Sequence, residues 1–120
     1  MSSAQIPVTV ATASGRITGV RRDGLHYFHS VRYSTIPSPF SPAKPLEGTC
    51  DQDAREPHPD DIALSITAPA DAAECPVVVY IHGGSYEHGT HEDPRLTGTT
   101  NARHGVIQVQ VGYRVGLAGF

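Results

Sequence analysis

Tryptophan is absent from the 120 residues, methionine occurs once and cysteine twice. Lysine is almost missing too: Lys44 is the single one among 9 basic side chains, which face 12 acidic ones for a net charge of −3. Nucleic-acid binders cluster positive charge along one face, so nucleic acid is not expected as a partner. No apolar run approaches the ~20 residues of a membrane-spanning helix, and no Gly-X-Y period is present. Neither a membrane nor a collagen-like assembly is therefore expected. The opening Met1-Ser2-Ser3-Ala4-Gln5 has no basic start and no apolar core of a secretion leader, which predicts a cytoplasmic chain. In that compartment Cys50 and Cys75 are expected as reduced thiols.

What is present is ordinary globular material, 38% hydrophobic and 18% charged, with 12 Gly and 10 Pro as punctuation. The length suits one domain with one core. Residues 6 to 33 read as short antiparallel strands: Val8 and Val10 alternate with Thr9 and Ala11, Ile17 and Val20 resume after Gly15, and Asp23-Gly24 is a hairpin turn. From Ile36 to Asp61 six prolines and little apolar periodicity predict an extended surface loop. Ile62, Leu64 and Ile66 then alternate up to Pro69, a half-buried strand. Val77-Val78-Val79-Tyr80-Ile81 is a continuous β-branched run, predicted to be a strand buried on both faces. Asp93-Pro94 suggests a helix start, with the helix running to about His104 and stopping at Gly105. Val106 to Val111 is a last strand. The expected class is α/β, with an antiparallel β entry followed by strand–helix–strand of a mixed sheet.

The chemistry sits where the buried run ends in His82-Gly83-Gly84-Ser85-Tyr86. A strand that stops in two glycines presents backbone N–H groups at the carboxyl edge of a sheet with no Cβ in a ligand's way. Such donors can hold the negative charge that a carbonyl oxygen gains during acyl transfer. The same glycines also suit a plain strand-exit turn.

The surrounding motifs resemble those of a known family. Thr12-Ala13-Ser14-Gly15-Arg16-Ile17-Thr18-Gly19 is similar to the Thr-x-x-Gly opening of type-B carboxylesterases, the α/β-hydrolase group of cholinesterases and para-nitrobenzyl esterases. Phe28-His29-Ser30-Val31-Arg32-Tyr33-Ser34 resembles their Phe-x-Gly-Ile-Pro-Tyr-Ala, and Val79 to Ser85 their oxyanion-hole strand and loop. Gly112-Tyr113-Arg114-Val115-Gly116-Leu117-Ala118-Gly119-Phe120 resembles Asn-Tyr-Arg-Leu-Gly-x-x-Gly-Phe. The resemblance implies that residues 1–120 are the incomplete N-terminal portion of an α/β-hydrolase domain. It places the oxyanion donors on the backbone N–H groups of Gly84 and Ser85, with Gly83 shaping the loop. It also implies a small ester as substrate, with no cofactor and no metal.

The family's nucleophile lies in a Gly-x-Ser-x-Gly elbow, and no such segment occurs between Met1 and Phe120; nor are the acid and the catalytic His expected here. Ser85 is read as a loop residue. Pro59-Asp60-Asp61 stands where the family has Glu-Asp-Cys, Gly112 where it has Asn, and Gln108 and Gln110 interrupt a normally apolar strand. Loop histidines His82, His88 and His91 are spaced so that they could converge on one metal ion, but no Cys or carboxylate pattern completes such a site. His26, His29, His58 and His104 read as solvated or packing residues, and Tyr86 as either an acyl-pocket wall or a cover for the core. Two functions follow. One is an ester hydrolase of which this chain supplies the oxyanion hole and which is inactive as this piece alone. The other is a truncated non-catalytic module that binds a ligand or forms homo-oligomers through an exposed sheet edge or apolar face.

Overall fold

Val8 and Val10 lie in β1 (Ile6–Thr12), which turns through Ser14 into β2 (Gly15–Arg22) and then β3 (Leu25–Arg32) in a computed structural model that describes residues 5–58 and 62–119. Asp23 and Gly24 both take positive φ, 53° and 78°, as a two-residue hairpin turn matched to strand twist requires. The antiparallel entry is thus as the sequence predicts. Met1 to Ala4, the family-motif position Phe120, and Pro59-Asp60-Asp61 lie outside the described residues.

The proline-rich stretch runs over the surface but is tied down at two points. β4 (Ser34–Thr35) pairs with β5 (Lys44–Pro45), and β6 (Gln52–Asp53) adds a parallel rung to β2. β3 bulges between Phe28 and Val31, where Ser30 takes φ 56°. Ala54 fills the gap so opened: its N–H donates to the Thr18 carbonyl and its carbonyl accepts from His29 N–H at 2.8 Å. Ala54 is completely buried and completes a small core with Phe28 and Val31, against which Val8, Ile17, Leu64 and Ile66 pack.

β7 (Ala63–Pro69), β8 (Val77–Ile81) and β9 (Ile107–Val111) complete one mixed sheet in the order β1-β2-β3-β7-β9-β8, and β8 runs parallel to β9 across the helix α1 (Thr99–Arg103). The expected strand–helix–strand unit is present, with two corrections. β8 is the edge of the sheet rather than a strand buried on both faces, and Val77, Val79 and Ile81 are 54%, 58% and 68% exposed. Among the described residues nothing pairs with its outer edge, so hydrophobicity alone could not bury it.

The helix is also shorter than predicted and begins six residues after Asp93. Asp93 takes the N–H of Arg95 on its carboxylate and the N–H of Leu96 on its carbonyl, closing one turn. The carbonyls that would propagate the helix are then taken by the sheet: Gln108 Nε2 donates to the Leu96 carbonyl at 3.1 Å and Thr67 Oγ1 to that of Thr97 at 2.9 Å. Helical geometry resumes only after Gly98 at φ 69°, and it ends as expected at Gly105, φ 80°.

The sheet has two unlike faces. Register aligns Phe28, Ile66, Val109 and Val79 on one, and Tyr27, Thr67 and Gln108 on the other, followed by Ser65 beside Gln110. In β9 the two glutamines are buried while Ile107, Val109 and Val111 remain half-buried, the reverse of the usual preference.

Candidate active site

β8 delivers the chain to the carboxyl edge of the sheet, where it leaves through His82 into a tight loop. Gly84 takes φ 148°, followed by Ser85 at 56° and Tyr86 at 68°. The Gly84 carbonyl turns inward and accepts from the N–H groups of Glu87 (3.1 Å) and His88 (3.2 Å). With that carbonyl tied back, the N–H groups of Gly84 and Ser85 donate to no acceptor among the described residues. Two adjacent unbonded donors at a strand end are able to bind a single anionic oxygen.

The conformational demand falls on Gly84 and not, as expected, on Gly83. A Cβ on Gly84 would lie 1.6 Å from the His88 carbonyl oxygen, whereas around Gly83 there is open space. Ser85 pays for its left-handed backbone with strain on the order of 1–2 kcal/mol. No histidine is hydrogen-bonded to its hydroxyl among the described residues, so it has no base beside it. Tyr86 is 80% exposed and covers no core of this chain.

His82 anchors the loop from beneath. Its ring stacks on that of Tyr113, with centroids 4.1 Å apart and planes 8° from parallel, and the Tyr113 hydroxyl donates to the His82 carbonyl. Nδ1 lies 2.7 Å from the Gly83 carbonyl and so donates to it, while the buried Nε2 has no partner among the described residues. The loop's other side is pinned by Gly116 N–H donating to the Tyr86 carbonyl at 2.6 Å. The two glycine-bearing motifs therefore meet in space.

Beyond Tyr86 an arm returns over the sheet to α1. Glu92 is its deepest charge. His29 Nδ1 is 3.1 Å from Glu92 Oε2, and the Ser65 hydroxyl donates to Oε1. Burial pushes the Glu92 carboxyl up, but the bonds from His29 and Ser65 outweigh it and leave the group below the usual carboxylate range. Next to it His91 Nε2 is 2.9 Å from Ser30 Oγ. Asp93, by contrast, is held at about 2 by an exposed ion pair with Arg95. Ser65, Glu92 and His29 are the residue types of a hydrolytic triad in the wrong order: the carboxylate stands between hydroxyl and imidazole, so the imidazole cannot take the serine proton.

The sequence located the loop but missed its supports. His29 is a packing residue, one of the two readings given for it, and bonds Glu92; His91 bonds Ser30, and His82 is turned away under Tyr113. Among the described residues no three His, Cys, Asp or Glu side chains converge. The signal for Glu92 was absent, because its partners are 27 and 63 residues away in the chain. Cys50 and Cys75 are free thiols. Among the described residues no helix is long and apolar enough to cross a membrane.

Comparison with known proteins agrees with this geometry. The carboxylesterase family profile matches residues 38–120. Para-nitrobenzyl esterase of Bacillus subtilis (strain 168) is 30% identical over 138 aligned positions, covering 92% of this chain and 28% of that enzyme. Among solved structures, a carboxylesterase of Geobacillus stearothermophilus superposes with a TM-score of 0.84 at 28% identity, over 93% of this chain and 27% of its own. Juvenile hormone esterase from Manduca sexta gives 0.84 at 25% identity, over 96% and 28%. The chain thus spans little more than a quarter of these α/β-hydrolase relatives. Since the matched segment carries both the loop after β8 and the Gly-Tyr-Arg motif that pins it, the chain belongs to the carboxylesterase family.

Proposed function

We propose that this chain is the N-terminal portion of a serine esterase acting on carboxylic esters, and that it supplies the oxyanion hole. The observation that carries the reading is the pair of N–H groups on Gly84 and Ser85, unbonded among the described residues, at the end of β8. In the complete reaction a serine oxygen attacks the ester carbonyl carbon while its proton passes to a histidine. The carbonyl oxygen becomes an oxyanion held by the two N–H groups, and collapse expels the alcohol, which takes that proton. Removing one such donor typically costs about 10²–10³ in rate. The nucleophile, the acid and the base are assigned to residues outside these 120, so the chain alone is inactive. Its two free thiols are compatible with a cytoplasmic location.

An amide-resolved NMR titration of the chain with a phenylphosphonate, a tetrahedral anion, tests the site. Gly84 and Ser85 amides are expected to shift first and farthest. Shifts spread evenly over the surface would remove the oxyanion assignment, and steady hydrolysis of a para-nitrophenyl ester that Ser85→Ala abolishes would make Ser85 the nucleophile instead.

The exposed edge of β8 favours a second reading, a non-catalytic module that associates with its own kind or binds a ligand. That reading needs the apolar side chains of Val77, Val79 and Ile81 to find a partner.

A further inference from the structure

The buried glutamines of β9 have a use that the oxyanion reading leaves unassigned. Gln108 and Gln110 are only 8% and 5% exposed, at positions where a sheet strand ordinarily buries apolar side chains. Burying an amide without partners costs free energy, so its bonds show what the face is for. Gln108 donates through Nε2 to the Leu96 carbonyl and accepts through Oε1 from Asn101 Nδ2 at 2.7 Å. Its neighbour across the ladder, Thr67, donates to the Thr97 carbonyl, and Ser65 and His29 both bond Glu92. Every one of these partners lies on the arm that follows the oxyanion loop, or on the helix that ends it. The polar face of the sheet therefore grips the arm by directed hydrogen bonds where apolar packing would let it slide.

Resting on the oxyanion reading, we propose that Glu92 is a positioning residue: gripped by His29 from β3 and Ser65 from β7, it fixes the arm so that Gly84 and Ser85 keep their N–H groups turned outward. Among the described residues it is the one arm side chain whose carboxylate bonds two strands at once, and it follows Ser85 by seven positions. The carboxylate is held ionised, which strengthens both bonds. His91, with Nε2 2.9 Å from Ser30 Oγ, adds a second point of attachment next to it. Between the arm and the sheet remains a cavity of about 200 Å³ lined by His29, Ser65, Glu92 and Gln110, so the arm is held at these bonds and not by continuous packing.

Hydrogen exchange on the 120-residue chain tests the coupling. The amides of Glu87, His88 and Gly116 close the oxyanion loop, and in Glu92→Ala their exchange should quicken roughly tenfold or more while the amides of β1 and β2 are unchanged. Glu92→Gln, which still accepts from Ser65 and His29, should bring the rates back to within roughly threefold of the parent. Unchanged loop amides in Glu92→Ala would overturn the proposal, as would Glu92→Gln behaving like Glu92→Ala. If Glu92→Ala does not fold, Ser65→Ala is the deciding variant, and the same selective quickening is expected there. Exchange reads the coupling without any bound anion. A parent chain whose Gly84 and Ser85 ignore phenylphosphonate, with exchange responding as described, would sink the oxyanion reading and leave Glu92 as the loop's anchor.

Discussion

Two serines show how single residues stand in for glycine. Ser30 and Ser85 both take φ 56°, the left-handed region that glycine enters at no steric cost. The backbone conformation is kept and each pays its cost, though the returns differ. Ser30 accepts the N–H of His58 at 2.8 Å and meets His91, so its side chain offsets the strain. Ser85 makes no such bond, and its N–H alone matters. Ser85→Gly is therefore expected to stabilise the chain by about 0.5–1 kcal/mol in urea unfolding and to leave the phenylphosphonate shifts intact. A loss of stability would mean that the Ser85 side chain has a role its contacts do not show. Gly84 is the opposite case, since any Cβ there meets the His88 carbonyl.

At the scale of elements, the hairpin of β2 and β3 carries a readable electrostatic pair. Arg21 and His26 are direct partners in the ladder, and the His26 imidazole is held below its ordinary value first by burial and then by the Arg21 charge. A base whose folded pKa is depressed binds fewer protons folded than unfolded. The hairpin's stability is therefore full above the unfolded value near ~6.5 and declines as pH falls below it. In Arg21→Ala the His26 midpoint, followed by NMR, should move up but stop short of the ordinary value, because burial is the larger cause. A midpoint that does not move would mean burial acts alone. Glu92 has the same pH dependence although its charged form is the favoured one: its lowered carboxyl adds stability above the ordinary carboxylate range near ~4.3, which is lost as pH falls through the folded value.

For the molecule as a whole, the consequence lies in the unlike faces of the sheet. The polar face is covered by the arm and α1, whereas the apolar face is covered over Phe28 and Val31 and opens toward β8. Relatives of about four times the length share this segment, and in the esterase reading further chain covers that face. Taken alone, the 120-residue chain is expected to self-associate at tens of micromolar in sedimentation, and Val79→Lys with Ile81→Lys should shift it toward monomer. A monomer at those concentrations without the substitutions would count against the edge as an association surface.

The sequence by itself determined the longer strands but not the short β4, β5 and β6, along with the hairpin at Asp23-Gly24, the glycine loop after β8 and the family resemblance. Each is written in local signals: alternation, turn chemistry and contiguous motifs. It overextended the helix because side chains of Thr67 and Gln108, distant in the chain, take the carbonyls the helix needed. It buried β8 because a β-branched run records a preference for burial and not the presence of a neighbour. Tertiary structure alone decided that His29, Ser65 and Glu92 meet, that His82 lies stacked under Tyr113, and that the glutamines of β9 face an arm of the same chain. Such contacts join strands tens of residues apart, and no local pattern encodes which polar groups the sheet will set opposite one another.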